Sequence, residues 1–300
     1  MKLSKKLAIL AATVFAAIGL AGCVKTSPNT AIITMKGHQI TVTDFYNEAK
    51  TFPSLPASNL LQNATFSYIF EKEFGKQVSS ADVENKFNSM AAQYGGSSTF
   101  SSQLQQQGYT TTSYKAQLRL QLLQQKAIDK QIQATQFTEA NLKTAWETYH
   151  PEVDTYIASS TNQSDAQKAH DLATNSSDEF ISQAKDNNLE QKFDSSNTTI
   201  PSQVMTAAFA LKNGQASDII SVQGSNGATT YYVVYMINNP GKGTDMSKYT
   251  KQLKAYIQSQ KENDSTYVAS VMKTYLTKYN VIVKEQTFSG IFQNYTGLTN

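Results

Sequence analysis

The most reactive side chain in this sequence is the thiol of Cys23, the only cysteine, which closes the run Leu20-Ala21-Gly22-Cys23. A cysteine behind two small residues at the end of an apolar run is the pattern that lipid-transferring and signal-cleaving enzymes require, so the expected chemistry at Cys23 is lipidation. The leader agrees: Lys2, Lys5 and Lys6 form a charged start, and Leu7 to Leu20 is apolar apart from Thr13. A membrane-spanning helix needs about 20 apolar residues. Here the polar stretch Lys25-Thr26-Ser27-Pro28-Asn29-Thr30 follows the cysteine almost at once. Residues 1–22 therefore read as a signal peptide, and residues 23–30 as a lipidated tether on the extracytoplasmic face of the cell membrane. One acyl chain binds a bilayer with a constant of only about 10⁴ per molar, so stable anchoring needs the two chains of a diacylglyceryl group.

Other reactive constellations are missing from the sequence. A lone cysteine forms no intramolecular disulfide, and His38, His150 and His170 are too scattered for a metal site, so neither a metal nor any other cofactor is expected. No Ser/His/Asp set has a recognisable spacing. Gly224 to Gly227 and Gly241 to Gly243 read as turns, not as phosphate loops. The formal charge of +3 resides in the three leader lysines, which leaves the chain from Cys23 onward neutral. The only arginine is Arg119, where a protein that reads bases or clamps phosphates usually clusters several, so no nucleic-acid partner is expected. A hydrophobic fraction of 40% in 300 residues is enough to fill the cores of about two domains.

The elements that must hold any site follow from periodicity. Ala31 to Val42 predicts a hairpin turning near Gly37. Thr43-Asp44 is expected to cap a helix carrying Phe45 and Ala49, and Asn59 to Phe74 forms the next helix, with Leu60, Leu61, Ala64, Tyr68 and Ile69 at helical spacing and Gly75 as its C-cap. Behind Ser79 and Ser80, the residues Val83, Phe87, Met90, Ala91 and Tyr94 fall on one helix face. Gly95-Gly96 and Gly108 bracket a short helix, and a long one runs from Tyr114 to Ile132. Another runs from Thr138 to Tyr149 and is stopped by Pro151. The pattern then changes to short elements: a strand over 153–158, helices over 165–173, 178–187 and 202–211, and a strand over 231–237. After the breaker run Asn238 to Gly243, a single helix is expected from Met246 to Tyr279. The order helical, mixed, helical predicts an α+β protein. Its mainly helical domain is discontinuous, formed by residues 31–150 and 240–300, with an α/β module inserted at 151–239.

Several segments resemble the PrsA-type extracytoplasmic foldases of Gram-positive bacteria. These are Ile40-Thr41 with Asp44-Phe45-Tyr46, Glu73 to Ser79, Gln93-Tyr94-Gly95-Gly96, Phe100 to Leu104, Gly108-Tyr109-Thr110, Tyr114-Lys115 with Arg119-Leu120, Ala207 to Ser217, and Tyr279 to Lys284. Their order behind a lipobox carries the likeness, which spans nearly the whole chain. The resemblance implies a helical chaperone domain, an inserted parvulin-like peptidyl-prolyl isomerase module, and unfolded or partly folded secreted proteins as partners; a homodimer stays open.

The chemistry implied is rotation about an X-Pro bond, whose barrier is about 18 to 20 kcal/mol. Each tenfold of acceleration needs about 1.4 kcal/mol of preference for the twisted amide. Parvulins place a histidine on the first strand and another on the last. Here those positions fall on Tyr156 or Ile157 and on Tyr232, and the Gly-Gly-Asp-Leu-Gly segment expected within Asn188 to Thr199 is absent. Tyr156 and Tyr232 are the candidate hydroxyl donors. Counting back from Phe209, the methionine and phenylalanine of the family's proline pocket fall on Ile200 and Val204, so Ile200, Val204 and Phe209 form the candidate pocket, with core packing the competing role. The resemblance thus implies a membrane-anchored foldase of the isomerase family. The alternative is a non-catalytic holdase whose parvulin module has lost its activity.

Overall fold

A computed structural model describes residues 27–224 and 227–296; Cys23 and the leader lie outside the described residues. In chain order, β1 (Ala31–Met35) and β2 (His38–Thr41) precede α1 (Val42–Thr51) and α2 (Ala57–Phe74). A 3₁₀ turn (Gly75–Gln77) leads to α3 (Ser80–Gln93), α4 (Ser97–Gln106), α5 (Thr111–Thr135) and α6 (Glu139–Thr148). The central stretch is β3 (Val153–Ser160), α7 (Gln163–Asn175), α8 (Ser177–Asp186), β4 (Glu190–Phe193), α9 (Ser202–Ala210), β5 (Ile220–Gln223) and β6 (Thr229–Asn238). The chain closes with α10 (Thr250–Asn263), α11 (Ser265–Lys278), β7 (Ile282–Val283) and α12 (Gln293–Thr296). The result is a mainly helical α+β protein with two small antiparallel sheets, ordered β2-β1-β7 and β4-β3-β6-β5. Among the described residues, no helix is long and apolar enough to cross a membrane.

Two compact units partition the chain. One joins the residues up to Gln133 with those from Asp264 onward, and the other is Ala134–Asn263. In the first, β1 and β2 turn at Lys36-Gly37, where Gly37 takes a φ of 78° that costs glycine little. Thr41, not Thr43, caps α1. Its extended backbone ends β2, its side chain accepts from the Asp44 amide, and the Asp44 carboxylate accepts from the Thr41 amide at 2.8 Å. Thr43 instead donates its hydroxyl to the Pro28 carbonyl at 2.9 Å and its amide to the same oxygen at 3.0 Å. Ser27 to Thr30 are therefore held against the start of α1, and ordered contacts begin before Ala31.

Gly75 follows α2 as expected, but with a right-handed φ of −53° that continues into the 3₁₀ turn. Glycine is needed there for space: a Cβ would stand 2.7 Å from Glu71 Oε2. That carboxylate is held by Arg119 of α5. Arg119 Nε donates to Oε1 and Nη2 to Oε2 at 2.8 Å, while Nη1 donates to the Val78 carbonyl at 2.7 Å and Nη2 to the Gly75 carbonyl at 3.1 Å. The only arginine thus satisfies carbonyls left open at the end of α2 and ties them to α5.

The two ends of the chain meet in this unit. β7 pairs antiparallel with β1, Ile33 opposite Val283 and Thr34 opposite Ile282. Phe66, Phe70 and Phe74 recur every fourth residue of α2 and are buried. Phe70 meets Tyr275 of α11 at 5.2 Å between ring centroids, and Phe66 meets Phe292 edge-on at 6.0 Å. Glu73 accepts from Lys278 Nζ at 2.6 Å and from the Tyr279 hydroxyl at 2.8 Å. Burial alone would raise the Glu73 carboxyl, but those hydrogen bonds and the charges of Lys278 and Lys130 outweigh it and hold it below the ordinary value.

The single helix expected from Met246 to Tyr279 is instead a 3₁₀ turn and two helices, broken at Asp264, whose carboxylate accepts from the amides of Thr266 and Tyr267 at 3.0 and 3.1 Å. α10 packs on α6 in the second unit around Ala145, Tyr149, Leu253 and Ile257. α11 belongs to the first unit.

Arg119→Lys is expected to cost about 2 kcal/mol, because an ammonium cannot serve both carboxylate oxygens and two carbonyls together. Unchanged urea midpoints would show that this clamp contributes nothing. Glu73→Gln is expected to cost about 1 kcal/mol at pH 7. That difference should shrink as pH falls below the ordinary carboxylate value of 4.5, since a carboxyl with a depressed folded-state pKa stabilises only while ionised. Urea titrations at pH 7 and pH 3 read it directly; a difference that stays constant would contradict the assignment.

Candidate functional site

The sheet of the second unit is built on its longest pair, β3 against β6, with Tyr156 opposite Tyr235, Ile157 opposite Val234 and Ser159 opposite Tyr232. Alternation along these strands separates two faces. One carries Tyr156, Val233 and Tyr235 and is covered by Ala173 of α7 and by Phe180 and Ala184 of α8. The other carries Val153, Val234 and Met236, covered by Val204 and Ala208 of α9 and by Phe193. Ile157, Ile200, Phe209 and Tyr232 pack at the margin of this second cluster.

The structure therefore brings Tyr232 to the face that holds Ile200, Val204 and Phe209, and it does not bring Tyr156 there. Tyr156 is buried beneath α7 and α8. Of the two first-strand positions open in the sequence, Ile157 is on the pocket face, and it has no proton to give. Tyr232 is half-buried, and its hydroxyl has no hydrogen-bond partner among the described residues. Val204 is fully buried, at 0% exposure, so its side chain is core. Ile200 is half-buried, with its amide donating to Asn197 Oδ1 at 2.8 Å. This face can present an apolar surface with one phenolic hydroxyl at its edge. Among the described residues, no imidazole or carboxylate hydrogen-bonds the Tyr232 hydroxyl.

Phe209 lies toward the other end of the sheet. Its ring stacks on His150 at 4.3 Å with 9° between planes and is tilted against Phe193 at 5.6 Å. Its carbonyl accepts from Asn239 Nδ2 at 3.2 Å, just past the end of β6. Tyr232 and Asn238 stand six residues apart on β6, about 20 Å at roughly 3.3 Å per residue. His150 is half-buried, with Nδ1 donating to the Pro151 carbonyl at 2.9 Å and its amide donating to Ser195 Oγ at 2.6 Å. The signal for it was Pro151, which biases the preceding residue to an extended backbone. Next to it, the Tyr149 hydroxyl donates to Asp194 Oδ2 at 3.0 Å; burial first, and then that carboxylate, push its pKa well above the ordinary tyrosine value. Among the described residues, no group of three or more His, Cys, Asp or Glu side chains is arranged to hold a metal ion.

The burial contrast makes a prediction. Val204→Ala should cost about 2 kcal/mol as a core truncation, and Ile200→Ala about half that. Equal losses in urea unfolding would show that Val204 is not the core residue its burial implies.

No family model matches the chain. It is 48% identical over 299 residues to foldase protein PrsA of Lactococcus lactis subsp. lactis strain IL1403, a match covering 97% of this chain and 96% of that protein. The crystal structure of a foldase protein PrsA from Lactococcus lactis superposes with a TM-score of 0.71 at 49% identity, covering 89% of this chain and 99% of that one. The structure of PrsA from Streptococcus pneumoniae superposes with a TM-score of 0.70 at 33% identity, covering 88% and 99%. Identity of this order over the full length of both chains establishes that this protein belongs to the PrsA foldase family.

Proposed function

We propose that this protein is a foldase that assists secreted proteins to fold after they cross the membrane, and that it does so mainly by binding them. The observation that carries the foldase reading is the full-length likeness to foldase protein PrsA of Lactococcus lactis. Residues 151–239 are the parvulin-like module, inserted in a discontinuous helical domain. α6 and α10, which fall in the same compact unit as the sheet, flank it as a helical pair. Lipidation of Cys23 holds the chain on the extracytoplasmic face, with unfolded or partly folded secreted proteins as its partners.

The isomerase reading comes with a specific limit on rate. A twisted X-Pro amide is favoured by an apolar pocket, a nearby donor and fixed orientation. Ile157, Ile200 and Tyr232 line the relevant face, and Val204 lies fully buried below it. Among the hydrophobic side chains packed on this face in the described residues, Tyr232 alone carries a side-chain donor, which favours weak or absent isomerase activity in this chain. The same observation favours the holdase alternative, in which the module is a non-catalytic binding or structural unit.

The test pairs two assays on the purified protein. Isomerisation of a model X-Pro peptide should be accelerated less than tenfold, and Tyr232→Phe should abolish whatever acceleration exists. Aggregation of an unfolded secreted protein should be suppressed by wild type and Tyr232→Phe alike. Strong catalysis that survives Tyr232→Phe would overturn the site assignment, and failure to suppress aggregation would overturn the holdase component.

A further inference from the structure

An open cavity of about 520 Å³ lies at the Phe209 end of the sheet, lined by residues 209–213, His150, Asn239, Pro240 and Gly241. It is a shallow cleft, wide open to solvent. All of its lining comes from one compact unit, and it lies at the opposite end of β6 from Tyr232. It is therefore distinct from the apolar face that the isomerase reading uses, although Phe209 borders both.

The chemistry of the lining is one-sided. Apolar surface comes from the Phe209 ring, Leu211 and Pro240. The wall is built: Asn239 Nδ2 donates to the Phe209 carbonyl at 3.2 Å and to the Leu211 carbonyl at 2.9 Å, Asn239 Oδ1 accepts from the Gly241 amide at 3.1 Å, and the Asn239 amide donates to Asn213 Oδ1 at 2.6 Å. Those bonds fix the approach of the segment after α9 to the segment after β6. The stack on Phe209 and the hydrogen bond to Pro151 orient the His150 ring and place its proton on Nδ1. The one full charge is the ammonium of Lys212, an exposed residue with no ion pair among the described residues, and no carboxylate lines the cavity.

We propose that this cavity is a second peptide-binding site, taking an extended segment in which an apolar or aromatic side chain is followed by an acidic one. The apolar side chain lies against Phe209, Leu211 and Pro240, and the carboxylate pairs with Lys212. The choice of an acidic segment rests on charge complementarity: a single unpaired cation stands beside an apolar floor with no acid to compete for it. An exposed pair of this kind contributes modestly, so the expected preference is about threefold to fivefold. The identity of the ligand as a client segment rests on the foldase reading; the occupancy of the cavity does not.

The probe is an acetylated, amidated pentapeptide Gly-Leu-Phe-Asp-Gly and its Asn counterpart, titrated into the isotopically labelled protein and followed by amide chemical shifts. Saturable shifts at residues 209–213 and 239–241 are expected, with the Asp peptide about threefold to fivefold tighter than the Asn peptide. Lys212→Gln, an exposed substitution, should abolish that preference and leave the affinity for the Asn peptide unchanged. No saturation at about 1 mM peptide, shifts centred on Ile200 and Tyr232, or a preference that survives Lys212→Gln would each overturn the proposal. An aggregation-suppression assay run in parallel separates the two ideas: suppression without peptide binding removes only this cavity, and peptide binding without suppression removes only the holdase component.

Discussion

The pairing of β7 with β1 is the constraint on which the architecture depends. Lys36 donates its amide to the Tyr279 carbonyl at 2.7 Å, and Lys284 donates to the Ile32 carbonyl at 2.8 Å. These bonds join segments from opposite ends of the sequence, so the stretch Ala134–Asn263 must leave the first unit and return to it. The sheet is small, and its β1-β2 hairpin would be marginally stable without a third strand or a helix packed on it. Its support comes from the phenylalanine row of α2, which Tyr275 and Phe292 complete from the far end of the chain. A unit that is closed in this way tolerates an insertion, because the entropy of closing the intervening segment grows only slowly with its length.

Catalytic demands and folding demands differ within the second unit. Its sheet is covered on both faces by helices, and the positions that decide chemistry sit at the margins of those two cores. At one end, Tyr232 packs on the same cluster as Ile157 and Ile200, and its hydroxyl has no hydrogen-bond partner among the described residues. At the other, His150 is engaged in stacking on Phe209 and in a hydrogen bond to Pro151. Among the described residues, the His150 ring is thus committed to Phe209 and Pro151 and is not hydrogen-bonded to Tyr232.

Much of the fold was legible because it rested on strong local signals. The hairpin at Gly37, the helix ended by Pro151 and the strand from Tyr231 to Ile237 all follow from turn chemistry and periodicity. Elements set by tertiary pairing were not legible. β4, β5 and β7 are short strands of two to four residues, and only their neighbours make them strands. The break at Asp264 carries neither glycine nor proline and sits inside a charged helical pattern. Gly75 caps α2 as its sequence position suggests, but the room it also leaves for Glu71 and Arg119 depends on tertiary packing and was not legible. At the candidate site, the apolar character of Ile200 and Val204 was readable, but which tyrosine shares their face was not. A shift of one residue along a strand moves a side chain to the other face, and the sequence left the first-strand position open between Tyr156 and Ile157.

The central claim is that this protein assists folding by binding and contributes little to proline isomerisation. Refolding of a secreted protein whose slow phase is limited by a proline bond separates the two effects, because one chaperone acts on the yield and one enzyme acts on the rate. The account predicts that adding this protein raises the recovered fraction while the slow-phase rate constant stays within a factor of about two. A slow phase accelerated tenfold or more, equivalent to about 1.4 kcal/mol off the barrier, would contradict it.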